Sequence, residues 1–190
     1  MRTVTVVALL FVLVMGWGLY QKSAPILGEI PLWNLLTDST WQPFKNQFGF
    51  LPFVMGTIWV TIIAIVISLP LSLFTAIFLT EYSRRCVKKI VYPALDILAS
   101  LPSVIYGVWG TLVIVPWISD KLAPHFVDFS AGYTTLAAGI VLSIMVLPLL
   151  VSLFVELFSS VSVDLRDTAY ALGLTRWHTA NKVVMRKSLT

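Results

Sequence analysis

The sequence predicts an all-α membrane protein, a polytopic helical bundle, and three observations lead to this fold class. First, 58% of the 190 residues are apolar and only 12% are charged, which is more apolar surface than a soluble domain of this size can bury. Second, the apolar residues fall in four long runs with few or no charges. Third, the basic residues cluster in short polar segments beside those runs.

Four predicted spans follow from these runs, and they are residues 4–20, 53–79, 90–118 and 134–158. The first run is at the short end for a helix that crosses a bilayer. A signal peptide is the alternative for it, but no clear small-x-small cleavage site follows, so we expect an uncleaved helix. Together with the polar segment after them, residues 159–190, the spans would form a single transmembrane domain over residues 1–190.

Residues 21–50, between the first two runs, mix polar and aromatic residues. Tryptophan rings in particular prefer the interface between membrane and water. Four prolines in or beside this segment argue against one continuous helix, and they are Pro25, Pro31, Pro43 and Pro52. We therefore expect an irregular segment at the membrane surface.

The third run contains a proline near its middle, Pro102. A proline there leaves a backbone carbonyl without its helical partner, and a nearby serine or tyrosine hydroxyl can bond to that carbonyl. One interpretation is a kink that serves only packing between helices. The other is a broken helix that lines a polar path for a solute, with the candidate residues Ser100, Pro102, Ser103, Tyr106 and Gly107.

The most polar stretch, Asp164–Ser188, predicts two short helices around a hinge, and we call it the polar hairpin. Asp164 and Asp167 fall in the first turn of the first helix, where the helix dipole favours negative charge. Gly173 is placed to end that helix with a positive φ, and Thr175 suits the N-cap of the second. An amphipathic hairpin that lies on the membrane surface is the alternative interpretation.

Small residues in the first helix of the polar hairpin, Ala169 and Ala171, would let a partner approach the backbone closely.

Two further acids lie in apolar surroundings, Asp96 and Glu156, which makes them functional candidates. We expect them to lock the ends of the spans to the polar hairpin. The alternative is that they reach the membrane surface or pair with a base, and the nearest bases are Lys88, Lys89 and Arg166.

The distribution of lysine and arginine predicts the orientation in the membrane. With the N-terminus on the cytoplasmic side, ten of the 13 basic residues face the cytoplasm, and only Lys22, Lys45 and Lys121 lie outside. An excess of bases on the cytoplasmic side is the rule for membrane proteins. The same orientation places the polar hairpin in the cytoplasm.

Several classes of function have no support in the sequence. There is no P-loop, no nucleophile elbow and no paired metal-ligand spacing, and His125 and His178 stand alone in different loops. The single cysteine, Cys86, cannot form an internal disulfide. The bases do not spread over one face as a nucleic-acid site would require. We therefore predict no catalytic residue, no metal site and no enzyme activity in this chain.

The polar hairpin resembles the cytoplasmic coupling loop of ABC-importer permeases. The likeness is carried by Asp167-Thr168-Ala169, by Gly173 four residues later and by Thr175-Arg176-Trp177. The chain departs from the family pattern at Asp167 in place of glutamate, at Thr168 in place of alanine and at Arg186 in place of proline. The resemblance implies a partial type I ABC-importer permease fold, and residues that couple to an ATPase subunit: Asp167, Ala169, Gly173, Thr175, Arg176 and Trp177.

Two further stretches, residues 41–57 and Leu101–Gly107, resemble the C-type subunit of phosphate-specific permeases. This resemblance implies import of inorganic phosphate across the bacterial inner membrane. It also implies a pair of ATPase subunits that bind the ATP and magnesium, a second permease subunit and a periplasmic binding protein, with no cofactor in this chain. Sulfate or molybdate is the alternative solute, and a membrane scaffold or signalling subunit is the alternative function.

Permeases of this family continue beyond the coupling loop with two more spans, so we expect this chain to be truncated before them. No lysine or arginine falls inside any predicted span. A tight anion site within the membrane is therefore not expected in this chain. We expect hydroxyls and backbone dipoles to line the path and to bind the anion weakly enough to release it.

Overall fold

A computed structural model describes residues 2–29, 31–45, 47–127 and 129–188, and helices dominate them, as predicted. The helices are α1 (Arg2–Glu29), α2 (Leu32–Thr37), α3 (Leu51–Ile77), α4 (Arg85–Ser100), α5 (Ser103–Trp109), α6 (Val115–Trp117), α7 (Thr135–Ser159), α8 (Val163–Ala171), α9 (Arg176–His178) and α10 (Met185–Ser188). Two short strands are β1 (Trp41–Gln42) and β2 (Gln47–Phe48). The chain divides into two compact units, Met1–Thr57 and Ile58–Thr190.

Wider helical turns of the π type continue several of these helices. They are Phe78–Tyr82 after α3, Gly110–Ile114 and Ile118–Leu122 on either side of α6, and Thr179–Val184 between α9 and α10. Short 3₁₀ turns are Pro43–Lys45 and Ala123–His125. As a result α5 and α6 form parts of one helix from Ser103 to His125.

In the first unit, α1 is a 28-residue helix whose described apolar side chains are exposed, apart from the half-buried Leu27. Such a surface suits lipid rather than water. The predicted first span ended at residue 20, whereas α1 continues through Pro25 to Glu29. A proline removes only one helical hydrogen bond, so a helix can pass through it when the flanking turns remain intact.

The irregular segment predicted between the first two spans is present in the first unit. After α2, the strands β1 and β2 pair antiparallel, with Trp41 opposite Phe48. The Trp41 ring lies 5.0 Å from the ring of Phe53 and 5.6 Å from that of Phe50, measured between centroids. Backbone bonds close the segment, including Gly49 N–H to the Thr40 carbonyl at 2.8 Å.

In the second unit, α7 lies at the centre of the packing. It contributes to three clusters of buried side chains: Phe158 packs with Ala76 and Ile77 at the end of α3, Val151 packs with Leu79 and Leu95, and Ala137 packs with Val115 and Ile118. Apolar side chains gain little from leaving lipid, so close van der Waals contact is what holds such helices together. Glycine allows that contact: a Cβ built on Gly139 would stand 2.5 Å from the Ile63 side chain of α3.

Four helices in the part of the chain that the structure describes are long and apolar enough to cross a membrane. They are Thr3–Pro25, Leu51–Tyr82, Ser103–His125 and Thr135–Ser159. Three of them coincide closely with predicted spans. The predicted grouping of the whole chain into one transmembrane domain stays a prediction.

The third predicted span, residues 90–118, differs from the structure in its position. Its first part belongs to α4, which ends at Ser100 and is followed by a break at Leu101 and Pro102. Helix α4 is amphipathic because its bases and Asp96 interrupt the apolar residues, and its Leu95 packs against α7. The apolar helix of sufficient length therefore starts only at Ser103. The broken helix itself was predicted correctly, and the limits of the span were not.

Candidate functional site

The polar hairpin forms the two helices that the sequence predicts, joined at Gly173. Helix α8 ends with Gly173 at φ +80, and two backbone bonds close the turn: Gly173 N–H to the Tyr170 carbonyl at 2.9 Å and Leu174 N–H to the Ala169 carbonyl at 3.1 Å. This pair of bonds is the Schellman motif, which satisfies carbonyls that the last turn leaves without partners. The predicted role of Gly173 as a helix stop is confirmed.

The second arm of the polar hairpin begins at its predicted cap. The Thr175 hydroxyl accepts a hydrogen bond from the backbone N–H of His178 at 3.4 Å and lies 2.9 Å from the His178 Nδ1. The helix then widens into the π turns Thr179–Val184 before it continues as α10. A single helical segment therefore follows the cap, as predicted, but with wider turns in its middle.

The second arm packs on the ends of α3 and α7. Ala180 and Val184 are buried in the cluster that includes Ile77 and Phe158. The Trp177 ring stacks on the Phe74 ring, with centroids 6.5 Å apart and planes 18° from parallel. This arm is therefore held by apolar side chains of the membrane helices rather than lying freely on a lipid surface.

The first arm, α8, is held by a buried ion pair. Arg166 Nη2 lies 3.4 Å from Glu81 Oε1, with the Glu81 side chain only 4% exposed and that of Arg166 18% exposed. The same Nη2 donates to the Phe158 carbonyl near the end of α7, and the Tyr170 hydroxyl donates to Glu81 Oε2 at 3.4 Å. Glu81, in the π turn that continues the end of α3, and Phe158, near the end of α7, thus meet α8 at one guanidinium.

The surroundings of Tyr170 favour its protonated form. Burial raises the pKa of the Tyr170 phenol, and the negative charge of Glu81 raises it further. The phenol therefore keeps its proton at neutral pH and serves as a hydrogen-bond donor to the carboxylate.

Glu81 is a site residue that the sequence-based predictions missed. An acid directly after a long charge-free run is a signal that could have identified it, because such an acid near the membrane usually has a partner. The expected candidates lie elsewhere: Asp96 and Glu156 border a groove of about 270 Å³ between α4 and α7. Among the described residues neither forms an ion pair with a base, and Arg166, one of the three expected bases, pairs with Glu81 instead.

The remaining coupling candidates divide between the two sides of the polar hairpin. Asp167, Gly173 and Arg176 are exposed, whereas Ala169 is only 4% exposed. Close approach of a partner was expected at Ala169, and the structure packs this residue inward because it shares a face of α8 with Arg166. A role of these residues in contact with a partner stays a prediction.

The break at Pro102 is closed by a tyrosine hydroxyl, as the sequence suggested. The Tyr106 hydroxyl donates to the Leu98 carbonyl at 2.9 Å, which is the carbonyl that loses its helical partner at Pro102. Tyr106 is itself buried. Its proton therefore maintains the helix break and is not free for a solute. Ser100 likewise donates to the Ile97 carbonyl at 2.8 Å.

Three of the five predicted path residues border one groove of about 510 Å³ between α5 and α7. These are Ser103, Tyr106 and Gly107; Ser100 and Pro102 do not line it. Apolar side chains and a few hydroxyls make up its lining, and none of its described residues is charged. Such a surface offers hydrogen bonds but no fixed positive charge, so it is unsuited to hold an anion tightly.

No group of three or more histidine, cysteine, aspartate or glutamate residues within the described ranges is arranged to hold a metal ion. The site consists of an exposed two-helix hairpin attached to the ends of two membrane helices, beside a helix that is broken at a proline.

Relatives of the chain are membrane transport proteins. Residues 68–190 match the family described as binding-protein-dependent transport system inner membrane component. The phosphate transport system permease protein PstC of Xylella fastidiosa is 38% identical over 162 residues, which cover 78% of this chain and 50% of that protein. The probable ABC transporter permease protein YqgH of Bacillus subtilis is 37% identical over 166 residues, which cover 86% of this chain and 52% of that protein.

An archaeal relative extends the similarity over nearly the whole chain. The probable phosphate transport system permease protein PstC of Methanocaldococcus jannaschii is 32% identical in an alignment 194 positions long, which covers 94% of this chain and 61% of that protein. The chain spans about half the length of the first two relatives. No solved structure matches it. By its match over residues 68–190 the chain belongs to the family of binding-protein-dependent transport system inner membrane components.

Proposed function

We propose that the chain is a permease subunit of an ATP-driven importer of inorganic phosphate. Its helices form part of the path through the membrane, and its polar hairpin receives the motion of an ATPase subunit. The observation that carries this proposal is the similarity to phosphate permeases over most of the chain, at 38% identity in one case. The exposed polar hairpin, attached to α3 and α7, supports the mechanical part.

The partners in this proposal follow from the chemistry that the chain lacks. Its sequence has no P-loop, so ATP and magnesium belong to a separate pair of ATPase subunits. A second permease subunit completes the path, and a binding protein on the outer side captures phosphate. Selectivity rests with the binding protein, or with the partner subunit and further parts of this permease, because none of the described residues that line the groove beside Tyr106 is charged.

Uptake of radiolabelled anions tests the choice of solute. We expect cells that lose the gene for this chain to lose energy-dependent phosphate uptake, while uptake of sulfate and molybdate stays unchanged. Loss of sulfate or molybdate uptake instead would assign the chain to another oxyanion. Unchanged uptake of all three, together with co-purification of an ATPase subunit, would indicate a scaffold or signalling subunit and refute transport.

The orientation can be tested with the native cysteine. Cys86 is exposed and lies in the basic segment expected on the cytoplasmic side. We expect a membrane-impermeant thiol reagent to label it in inside-out vesicles and not in intact spheroplasts. A second cysteine introduced by Asp164→Cys in a Cys86→Ser background should behave in the same way. Labelling of either cysteine from the outside would contradict a cytoplasmic polar hairpin.

A further inference from the structure

Helix α8 is attached to the membrane helices by two routes. One is covalent, because only residues 160–162 separate the end of α7 from α8. The other runs from α8 to the end of α3, through the contacts of Glu81 with Arg166 and Tyr170, and Tyr170 is 89 residues away from Glu81 in sequence. If α8 moves, the short covalent link pulls on α7 without any side-chain contact. For the motion of α8 to act directly on α3, the contacts at Glu81 are needed.

Stability alone is a poor explanation for a buried ion pair at this joint. Removing two charges from water costs free energy that their attraction recovers only partly, and apolar residues of similar volume often stabilise a protein as well. Glu81 Oε1 is buried and accepts no hydrogen bond from the described residues, so the Arg166 charge is its compensation. What such a pair supplies is one defined arrangement of the elements that it joins.

The contacts also give α8 two different faces. Arg166 and Tyr170 both contact Glu81, and Ala169 on the same helix is buried. Asp164 and Asp167 are exposed. One face is therefore fixed to this chain, while the other remains open to a partner.

The apolar cluster under the second arm also connects the polar hairpin to the ends of α3 and α7, but through hydrophobic packing alone. Ala180 and Val184 pack against Ile77 there. Hydrophobic packing is not directional, so such a surface can slide, whereas charged and hydrogen-bonded contacts require a particular geometry. Glu81 thus makes the directional contacts that connect α8 to the end of α3.

We propose that the Glu81–Arg166 pair, with Tyr170, is the joint that transmits motion of α8 into the second span. Both charged residues are then positioning residues for coupling, and neither contacts the solute. This inference rests on the proposed function and names the connection inside this chain on which energy coupling depends.

The test measures the ratio of phosphate transported to ATP hydrolysed by the assembled importer in proteoliposomes. We expect Glu81→Gln to lower this ratio about tenfold, because ATP hydrolysis continues while α3 no longer follows α8. The double variant Glu81→Met with Arg166→Met removes both charges and should fold, and it should show the same loss. The exchange of the pair, Glu81→Arg with Arg166→Glu, should recover most of the ratio.

The matched control is Asp120→Asn, which converts an exposed acid outside the polar hairpin to its amide and should leave the ratio unchanged. A wild-type ratio in the double methionine variant would overturn the inference, even if Glu81→Gln failed to fold. Failure of the wild-type importer to transport phosphate would instead refute the proposed function. In that case the same ratio, measured for whichever anion is transported, still decides the role of the pair.

Discussion

The irregular segment of the first unit, residues 31–50, and the polar hairpin of the second unit are held together by different means. Residues 31–50 close on themselves: Gly49 N–H bonds to the Thr40 carbonyl, and Phe50 N–H bonds to the Leu35 carbonyl, both at 2.8 Å. The polar hairpin depends on distant residues, above all Glu81 and Phe74 of the second span.

This difference indicates which segment can respond to the membrane helices. Local backbone bonds hold residues 31–50 together, and the Trp41 ring adds a contact with Phe53 only three residues beyond the segment. The polar hairpin takes its position from the ends of α3 and α7, so a movement of either is also a movement of the hairpin. Four predictions test this contrast.

The largest effect is expected for Arg166→Met. It leaves the buried carboxylate of Glu81 without its compensating charge, and breaking a buried pair in this way costs about 3–5 kcal/mol of stability. Thermal unfolding of the purified protein in detergent measures the loss. Arg84→Gln removes an exposed base and is the control. A loss no greater than that of the control would show that Arg166 does not hold the hairpin.

Gly49→Ala should have the next largest effect, and it acts within residues 31–50. A Cβ at this position would meet the backbone of Asp38 and would lie 2.8 Å from the Thr40 carbonyl oxygen. Backbone atoms cannot move aside as a flexible side chain can, so we expect a cost of about 1–3 kcal/mol. Gly56→Ala is the matched control, because a Cβ there has nothing within 4 Å. Equal unfolding temperatures for the two variants would contradict this view of the segment.

Gly173→Ala should cost less, because its Cβ would have nothing within 4 Å and only the positive φ opposes it. A residue with a side chain loses about 1–2 kcal/mol in this left-handed conformation. Gly173→Asn should lose less, since asparagine tolerates that region. Unfolding temperatures should therefore rise in the order Gly49→Ala, Gly173→Ala, Gly173→Asn. The reverse order would contradict this reasoning.

The smallest effect is a pH dependence at Asp38. Hydrogen bonds from the Thr40 backbone N–H at 3.0 Å and the Thr40 hydroxyl at 2.9 Å lower the pKa of the Asp38 carboxyl. A lowered pKa in the folded state means that the stabilisation is present above the usual value of about 3.9 and is lost as pH falls through the folded value. As the pH falls below about 3.9, the wild-type protein should therefore lose more stability than the Asp38→Asn variant does. Parallel curves for the two proteins would show that the carboxylate contributes nothing.

Features that depend on a few neighbouring residues were predictable from the sequence. The helix stop at Gly173 and the cap at Thr175 are formed by bonds within five residues, and the bond from Tyr106 to the Leu98 carbonyl spans two turns around Pro102. Length and composition alone also located three of the four apolar helices to within a few residues at most ends. The exceptions, the end of α1 and the start of the third span, arose where prolines and charges made the boundary ambiguous.

The sequence by itself thus determined the helical membrane character, the hairpin and its hinge, because apolar runs, caps and glycine stops act locally. Only the tertiary structure decided which acid joins the polar hairpin to the membrane helices. Asp96, Glu156 and Glu81 all lie near the ends of helices, and the sequence alone does not show which of them faces Arg166. The packing of α3 against α7 brings Glu81 to Arg166 and leaves the other two beside a groove, and such a choice depends on the arrangement of whole helices.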